Sequence, residues 1–284
     1  MQNFLHIFLR NAAYCASLVL LALASNQSLA QPAVTENVAF TAVMQYPSRS
    51  YDHRLAYGEG EFQYGLLWLP ENRPSPPLLV LIHGGCWLNS FDVNHSFAAS
   101  TALADAGFAV WSLEYRRTGD SGGGWPGTFE DIVAAIESIG ALTEYGVNTS
   151  RFAIAGHSAG GHLALLAGSR FTEASVVIGL AAIADIDAYA RGSNSCQTAT
   201  PAFMNAEPDA APALYAAANP AQQALHANTH LLHGDLDAIV PLAQTQNIQA
   251  RLTTVTGAGH FDWIHPDTPA FSALLELLQD ELRQ

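Results

Sequence analysis

In the run GHSAGGHLA, Gly156 to Ala164, a serine stands two residues from a glycine on each side, and an Ala/Leu-rich stretch follows. A serine at the apex of a tight strand-to-helix turn needs such neighbours, because a Cβ at either glycine collides with crossing backbone. Held out of the chain in this way, the Ser158 hydroxyl becomes a nucleophile once a base takes its proton and an acid holds that base in the right tautomer. Two later runs offer those groups. In HGDLDAIVP the acid is Asp235 or Asp237; Asp235, next to Gly234, is placed to cap its own turn, so Asp237, further into the loop, is preferred. In TGAGHFDWIHP, Gly257 and Gly259 free the backbone and deliver His260, whereas His265, before Pro266, reads as a helix-start or surface residue. A carbonyl oxygen that gains charge during attack needs unblocked N–H donors, and HGGCW supplies them. The expected donors are the amides of Gly85, Cys86 and Ala159.

These groups are useful only if secondary structure brings them to one place. PPLLVLIHGG, FAVWSLEY, RFAIAG, ASVVIGLAAI, THLLHGD and TTVTG read as strands, several of them continuous apolar runs of the kind buried on both faces of a sheet. Between them, HSFAASTALADAG, TFEDIVAAIESIGALTEYG, HLALLAGSR, LAQTQNIQARL and TPAFSALLELLQDELR read as helices. Alternating strands and helices predict an α/β fold with a mostly parallel central sheet and helices on both faces. In such sheets active groups gather at the carboxyl ends of the strands, where every run named above falls. ENVAFTAVMQY and FQYGLLWLP are expected to form a leading antiparallel pair, and the irregular stretch 185–227 is the room for a small cap.

The first thirty residues read differently. An apolar core, NAAYCASLVLLALA, follows Arg10 and precedes SNQSLA, which predicts a secretory signal peptide over 1–30 and a single domain over 31–284. The expected location is therefore exported, periplasmic or secreted, with no stable membrane anchor after processing. The formal net charge is −14, and all 11 basic residues are arginine. That balance argues against nucleic acid and anionic membrane surfaces as partners. Cys86 and Cys196 can form one bridge or remain two thiols; sequence alone leaves both open.

The combination of HGGCW, EYRR, WPGTFEDI, GHSAGGHLA, HGDLDAIVP and GAGHFD, spread over about residues 78–265, resembles the α/β-hydrolase superfamily, within it the carboxylesterase and kynurenine-formamidase-like group. The resemblance implies Ser158 as nucleophile, His260 as base and later acid, Asp237 as the orienting carboxylate, and an oxyanion hole on the HGG loop. It implies hydrolysis of a short-chain or aryl carboxylic ester, carbohydrate esters included, through an acyl-enzyme, with no cofactor and no metal. Cys86 departs from the third glycine usual in hormone-sensitive-lipase-like esterases, which favours the formamidase-like and polysaccharide-esterase-like relatives. Trp87 and Trp263, beside the expected oxyanion loop and the histidine, are the candidate substrate-binding residues; Trp125 is a weaker one. Aryl formamide hydrolysis is the alternative reaction, and a non-catalytic binding protein on the same fold is the alternative of another class. A metal site on HGDLD and HFDWIH is a further alternative, although no established ligand spacing supports it.

Overall fold

A strand covered on both faces has no polar side to show, and Pro77–Ile82 (PLLVLI) is buried at every position. In the computed structural model, which describes residues 37–246 and 248–282, this strand is the third of eight in one sheet. The strands are β1 (His53–Ala56), β2 (Tyr64–Trp68), β3 (Pro77–Ile82), β4 (Ala109–Leu113), β5 (Asn148–His157), β6 (Val176–Leu180), β7 (Thr229–Gly234) and β8 (Arg251–Val255). Their order across the sheet is β1-β2-β4-β3-β5-β6-β7-β8. β1 and β2 pair antiparallel with their neighbours, and every other pairing is parallel.

The period of two along β3 divides the core. Leu78, Val80 and Ile82 pack with Phe129, Ile132 and Ile136 of α3 (Gly127–Glu137) and with Leu163 and Leu166 of α4 (Ala159–Gly168). Leu79 and Leu81 point the other way, onto Leu103 of α2 (Phe97–Asp105) and Phe271, Leu274 and Leu278 of α8 (Pro269–Leu282). Helices therefore cover both faces, as the alternation predicts.

Three expectations are corrected. Residues Phe40–Gln45 form a helix, α1, and the antiparallel partner of β2 is His53–Ala56. The stretch expected as a helix around Leu242 is one 3-10 turn, Leu242–Thr245. The stretch 185–227 is not irregular: it holds α5 (Ile186–Ala190), α6 (Ser195–Met204) and α7 (Pro212–Ala217). Asp185 caps α5 through the amide of Ala188, and Asn194 caps α6 with Gln197 reaching back to the Asn194 amide. The leader expected over residues 1–30 lies outside the described residues. Among the described residues, no helix is long and apolar enough to cross a membrane.

Candidate active site

Ser158 sits between β5 and α4 with φ 58° and ψ −119°, a backbone region that a residue with a Cβ rarely occupies. The turn closes because its flanks are small. A Cβ on Gly156 would collide with the Gly160 carbonyl, and one on Gly160 would collide with the carbonyls of Ile82 and His83. The Ser158 amide donates to the Leu180 carbonyl of β6 (2.8 Å), which fixes the turn against the sheet.

The loops after β7 and β8 meet at this point. His260 Nδ1 donates to Asp237 Oδ2 (2.8 Å), and the other carboxylate oxygen accepts from the amides of Ile239 and Val240, each at 2.8 Å. The Asp237 side chain is fully buried. Burial pushes its carboxyl pKa up, but the hydrogen bond and charge of His260 and the two amides outweigh that and hold it below the usual carboxylate value. Asp235 is exposed and accepts from the Gly257 amide (2.7 Å), a turn-closing role. The structure thus brings His260 onto Asp237 and not onto Asp235.

Ser158, His260, Gly85 and Cys86 line one cavity of about 210 Å³ with Phe40, Phe91, Phe261 and Ile239. The amides of Gly85, Cys86 and Ala159 have no acceptor among the described residues. Gly85, Cys86 and Trp87 all have positive φ, at 102°, 53° and 57°. Three consecutive residues in that region wind the backbone into a tight loop, and for Cys86 and Trp87 the conformation is strained. One restraint is covalent: Cys86 is joined to Cys196 at the start of α6, with the two Cα atoms 5.2 Å apart. The bridge left open by the sequence is present, and both its cysteines line the cavity.

The aromatic expectations need correction. Trp87 is fully buried, stacked on Phe203 with centroids 4.5 Å apart and edge-on to His162, and Trp263 is fully buried in the core beneath α8. Neither lines the cavity, and Trp125 stacks on Phe129. An indole beside a tight loop packs inward here because the core directly behind that loop is apolar. The cavity wall instead uses Phe261, next to His260, together with Phe40 and Phe91, which lie outside the motif runs. Phe40 arrives because the Val38 amide donates to Asp262 Oδ2 (3.1 Å) and Asn37 Nδ2 to the Leu236 carbonyl (3.1 Å), pinning the start of α1 to the His260 and Asp237 loops.

Two histidines beside the elbow stay neutral. His157 Nε2 donates to the His260 carbonyl (2.8 Å), and burial, followed by the His260 charge, drives the His157 pKa down to about 3. His162 Nε2 donates to the Ala218 carbonyl (2.7 Å), and burial lowers its pKa to about 4. A histidine whose folded pKa lies below its unfolded value, roughly 6.5, supports the fold fully above that value and loses the support as pH falls towards the folded pKa. Between about pH 6 and 4 each of these two histidines should remove about 1.4 kcal/mol of stability per pH unit. Urea midpoints at pH 7, 5 and 4 should therefore fall steeply; a flat series would contradict the buried neutral state.

These parts compare directly with known proteins. The chain is 32% identical over 125 residues to esterase LipC of Mycobacterium tuberculosis, a stretch covering 42% of this chain and 30% of LipC. It is 33% identical over 116 residues to an acetyl-hydrolase of Streptomyces hygroscopicus, covering 41% and 37%. The matches thus span about a third of the relatives' own length. Among solved structures, a truncated carbohydrate esterase from gut microbiota superposes with a TM-score of 0.71 at 20% identity, over 84% of this chain and 99% of that one. Esterase B of Lactobacillus rhamnosis gives 0.70 at 21% identity, over 85% and 89%. These likenesses establish the α/β-hydrolase fold. With the BD-FAE family model matching residues 67–252, the chain belongs to that family of α/β-hydrolase esterases.

Proposed function

We propose that this chain hydrolyses carboxylic esters through an acyl-enzyme on Ser158. The observation that carries the reading is that Ser158, on its elbow, shares one apolar cavity with His260, whose Nδ1 is held by the ionised Asp237. With Nδ1 donating to Asp237, Nε2 is the basic nitrogen. It takes the Ser158 proton as Oγ bonds to the ester carbonyl carbon, and the Gly85, Cys86 and Ala159 amides stabilise the oxygen that becomes negative. Asp237 stabilises the imidazolium, which passes its proton to the departing alcohol as the C–O bond breaks. Water then repeats the sequence on the acyl-serine, giving its proton to His260 and releasing the carboxylic acid.

The cavity supports the acyl class. An apolar hole of about 150 Å³ takes a benzene ring, so about 210 Å³ suits a short acyl chain or a single aryl group. The esterase names of the relatives support the ester bond, and a carbohydrate esterase among the structural neighbours supports a sugar-borne ester as substrate. Export belongs to the same reading: the Cys86–Cys196 bridge suits an oxidising compartment, and residues 1–30 have the composition of a leader.

One experiment tests this. Protein recovered from an exporting host should begin at or near Gln31, and should cleave acetyl, butyryl or feruloyl esters at a rate that EDTA leaves unchanged. Cleavage of aryl formamides alone would move the reaction to the alternative bond, and inertness towards the whole panel would sink the reading. An intact Met1 in a cytosolic fraction would refute export.

A further inference from the structure

The run EYRR, Glu114 to Arg117, supplies no member of the Ser158–His260–Asp237 set, yet it lies directly behind the HGG loop. We infer that Glu114 is a positioning residue for the oxyanion-binding amides, acting through two histidines that grip Gly84 at its N–H and at its carbonyl. The inference rests on the ester reading above.

The grip is read from the bonds. His83 Nδ1 donates to the Gly84 carbonyl (2.7 Å), and the Gly84 N–H donates to His95 Nε2 (3.1 Å). The Gly84 carbonyl and the Gly85 N–H belong to one planar trans peptide, so fixing the direction of the carbonyl fixes the opposite direction of the N–H. His83 therefore aims the Gly85 amide. Gly84 has little freedom to adjust, since a Cβ there would lie 2.8 Å from the His157 carbonyl and 3.0 Å from Ser158 Cβ.

Glu114 serves both histidines. Its Oε1 pairs with His83 Nε2 (3.0 Å), and its Oε2 accepts from the amide of Val93 (3.0 Å). Val93 opens the single 3-10 turn, Val93–Ser96, that carries His95. One carboxylate thus fixes the ring that holds the Gly84 carbonyl and the turn whose histidine holds the Gly84 N–H. Tyr115 reinforces it, stacked on His83 with centroids 4.3 Å apart and donating its hydroxyl to the His83 carbonyl (2.7 Å). Arg117 lies 3.3 Å from Glu114 Oε1 and donates to the Phe91 carbonyl (2.7 Å), tying the cavity wall to the same group. Burial pushes the Glu114 carboxyl pKa up, but His83, Arg117 and the Tyr115 amide outweigh it and hold the pKa below its usual value. Glu114 is itself buried and does not line the cavity, so its influence on catalysis must pass through the loop.

The variant Glu114→Gln keeps the shape but offers one acceptor oxygen where the carboxylate offers two, and both sides of that carboxylate face donors. Turned one way its NH2 meets the Val93 N–H, and turned the other it meets the Tyr115 N–H, so the seat that holds the His83 ring and the His95 turn loosens. A displaced donor lowers rate by up to about 10²-fold. The test measures 4-nitrophenyl acetate hydrolysis by wild type, Glu114→Gln and His95→Leu, with functional sites counted by organophosphate titration. A trifluoromethyl ketone, whose serine adduct places an oxyanion at the same amides, reports on the hole alone. We expect kcat per titrated site to fall about 10-fold to 10²-fold, the ketone Ki to rise in parallel, and KM to stay within about threefold. A merely structural role would lower the number of titrated sites and the unfolding temperature but leave kcat per site and Ki untouched. Wild-type kcat and Ki in either folded variant overturns the inference. Wild type that is inert to ester and organophosphate alike is a different failure, that of the ester reading itself.

Discussion

Replacing Ser158 by alanine is expected to lower kcat for ester hydrolysis by about 10⁶-fold while leaving KM and the unfolding temperature close to those of the parent. Alanine keeps the Cβ, so the backbone at φ 58° gains no strain beyond what serine already bears. Only the hydroxyl is lost, and with it the acyl-enzyme. Whatever turnover remains would come from the Gly85, Cys86 and Ala159 amides acting on water attack. An organophosphate should label Ser158 in the parent and leave the variant unmodified, as mass spectrometry of the peptide containing residue 158 would read. Activity near the parental level in folded Ser158→Ala would remove the serine from the mechanism.

Asp237→Asn should cost about 10⁴-fold in kcat, whereas Asp235→Asn should change it by no more than about threefold, within the small range of surface substitutions. Ile239 and Val240 both donate to one oxygen of Asp237, so the asparagine Oδ1 would stay with them and turn its NH2 towards His260 Nδ1. A nitrogen facing a donor must give up its own proton, which moves to Nε2. The ring then presents a donor to Ser158 where a base is needed. Asp235 has no such link, since its bond is to the Gly257 amide on the exposed side of the loop. The reverse ranking of the two variants would transfer the acid role to Asp235.

Why these residues were legible in the sequence, and the cavity wall was not, follows from how each is placed. Ser158, Asp237, His260 and the HGG amides are positioned by the few residues on either side of them, glycines and strand ends, so short runs carry the signal. Phe40 is positioned by bonds from residues 37 and 38 to residues more than 190 positions away, and no local pattern encodes that. The same docking explains the misread first element. FTAVMQ suits a short strand or a short helix about equally, and the place beside β2 is taken by His53–Ala56, leaving α1 to pack on the loops. His95 has no motif around it, and its role appears only once the 3-10 turn is seated on Glu114. The indoles fail in the opposite sense. Trp87 and Trp263 stand beside the HGG and GAGH runs in the chain, yet adjacency says nothing about which side of a loop a ring takes.

The Cys86–Cys196 bridge joins cysteines 110 residues apart in the chain, and its largest thermodynamic effect belongs to the denatured ensemble. Closing a loop of that length removes chain entropy worth about 4 to 5 kcal/mol from the unfolded state at room temperature. A reduced molecule faces a far more expanded competitor. Its endurance on heating should therefore depend on the redox poise of its surroundings, even though none of the three groups at Ser158, His260 and Asp237 contains sulfur.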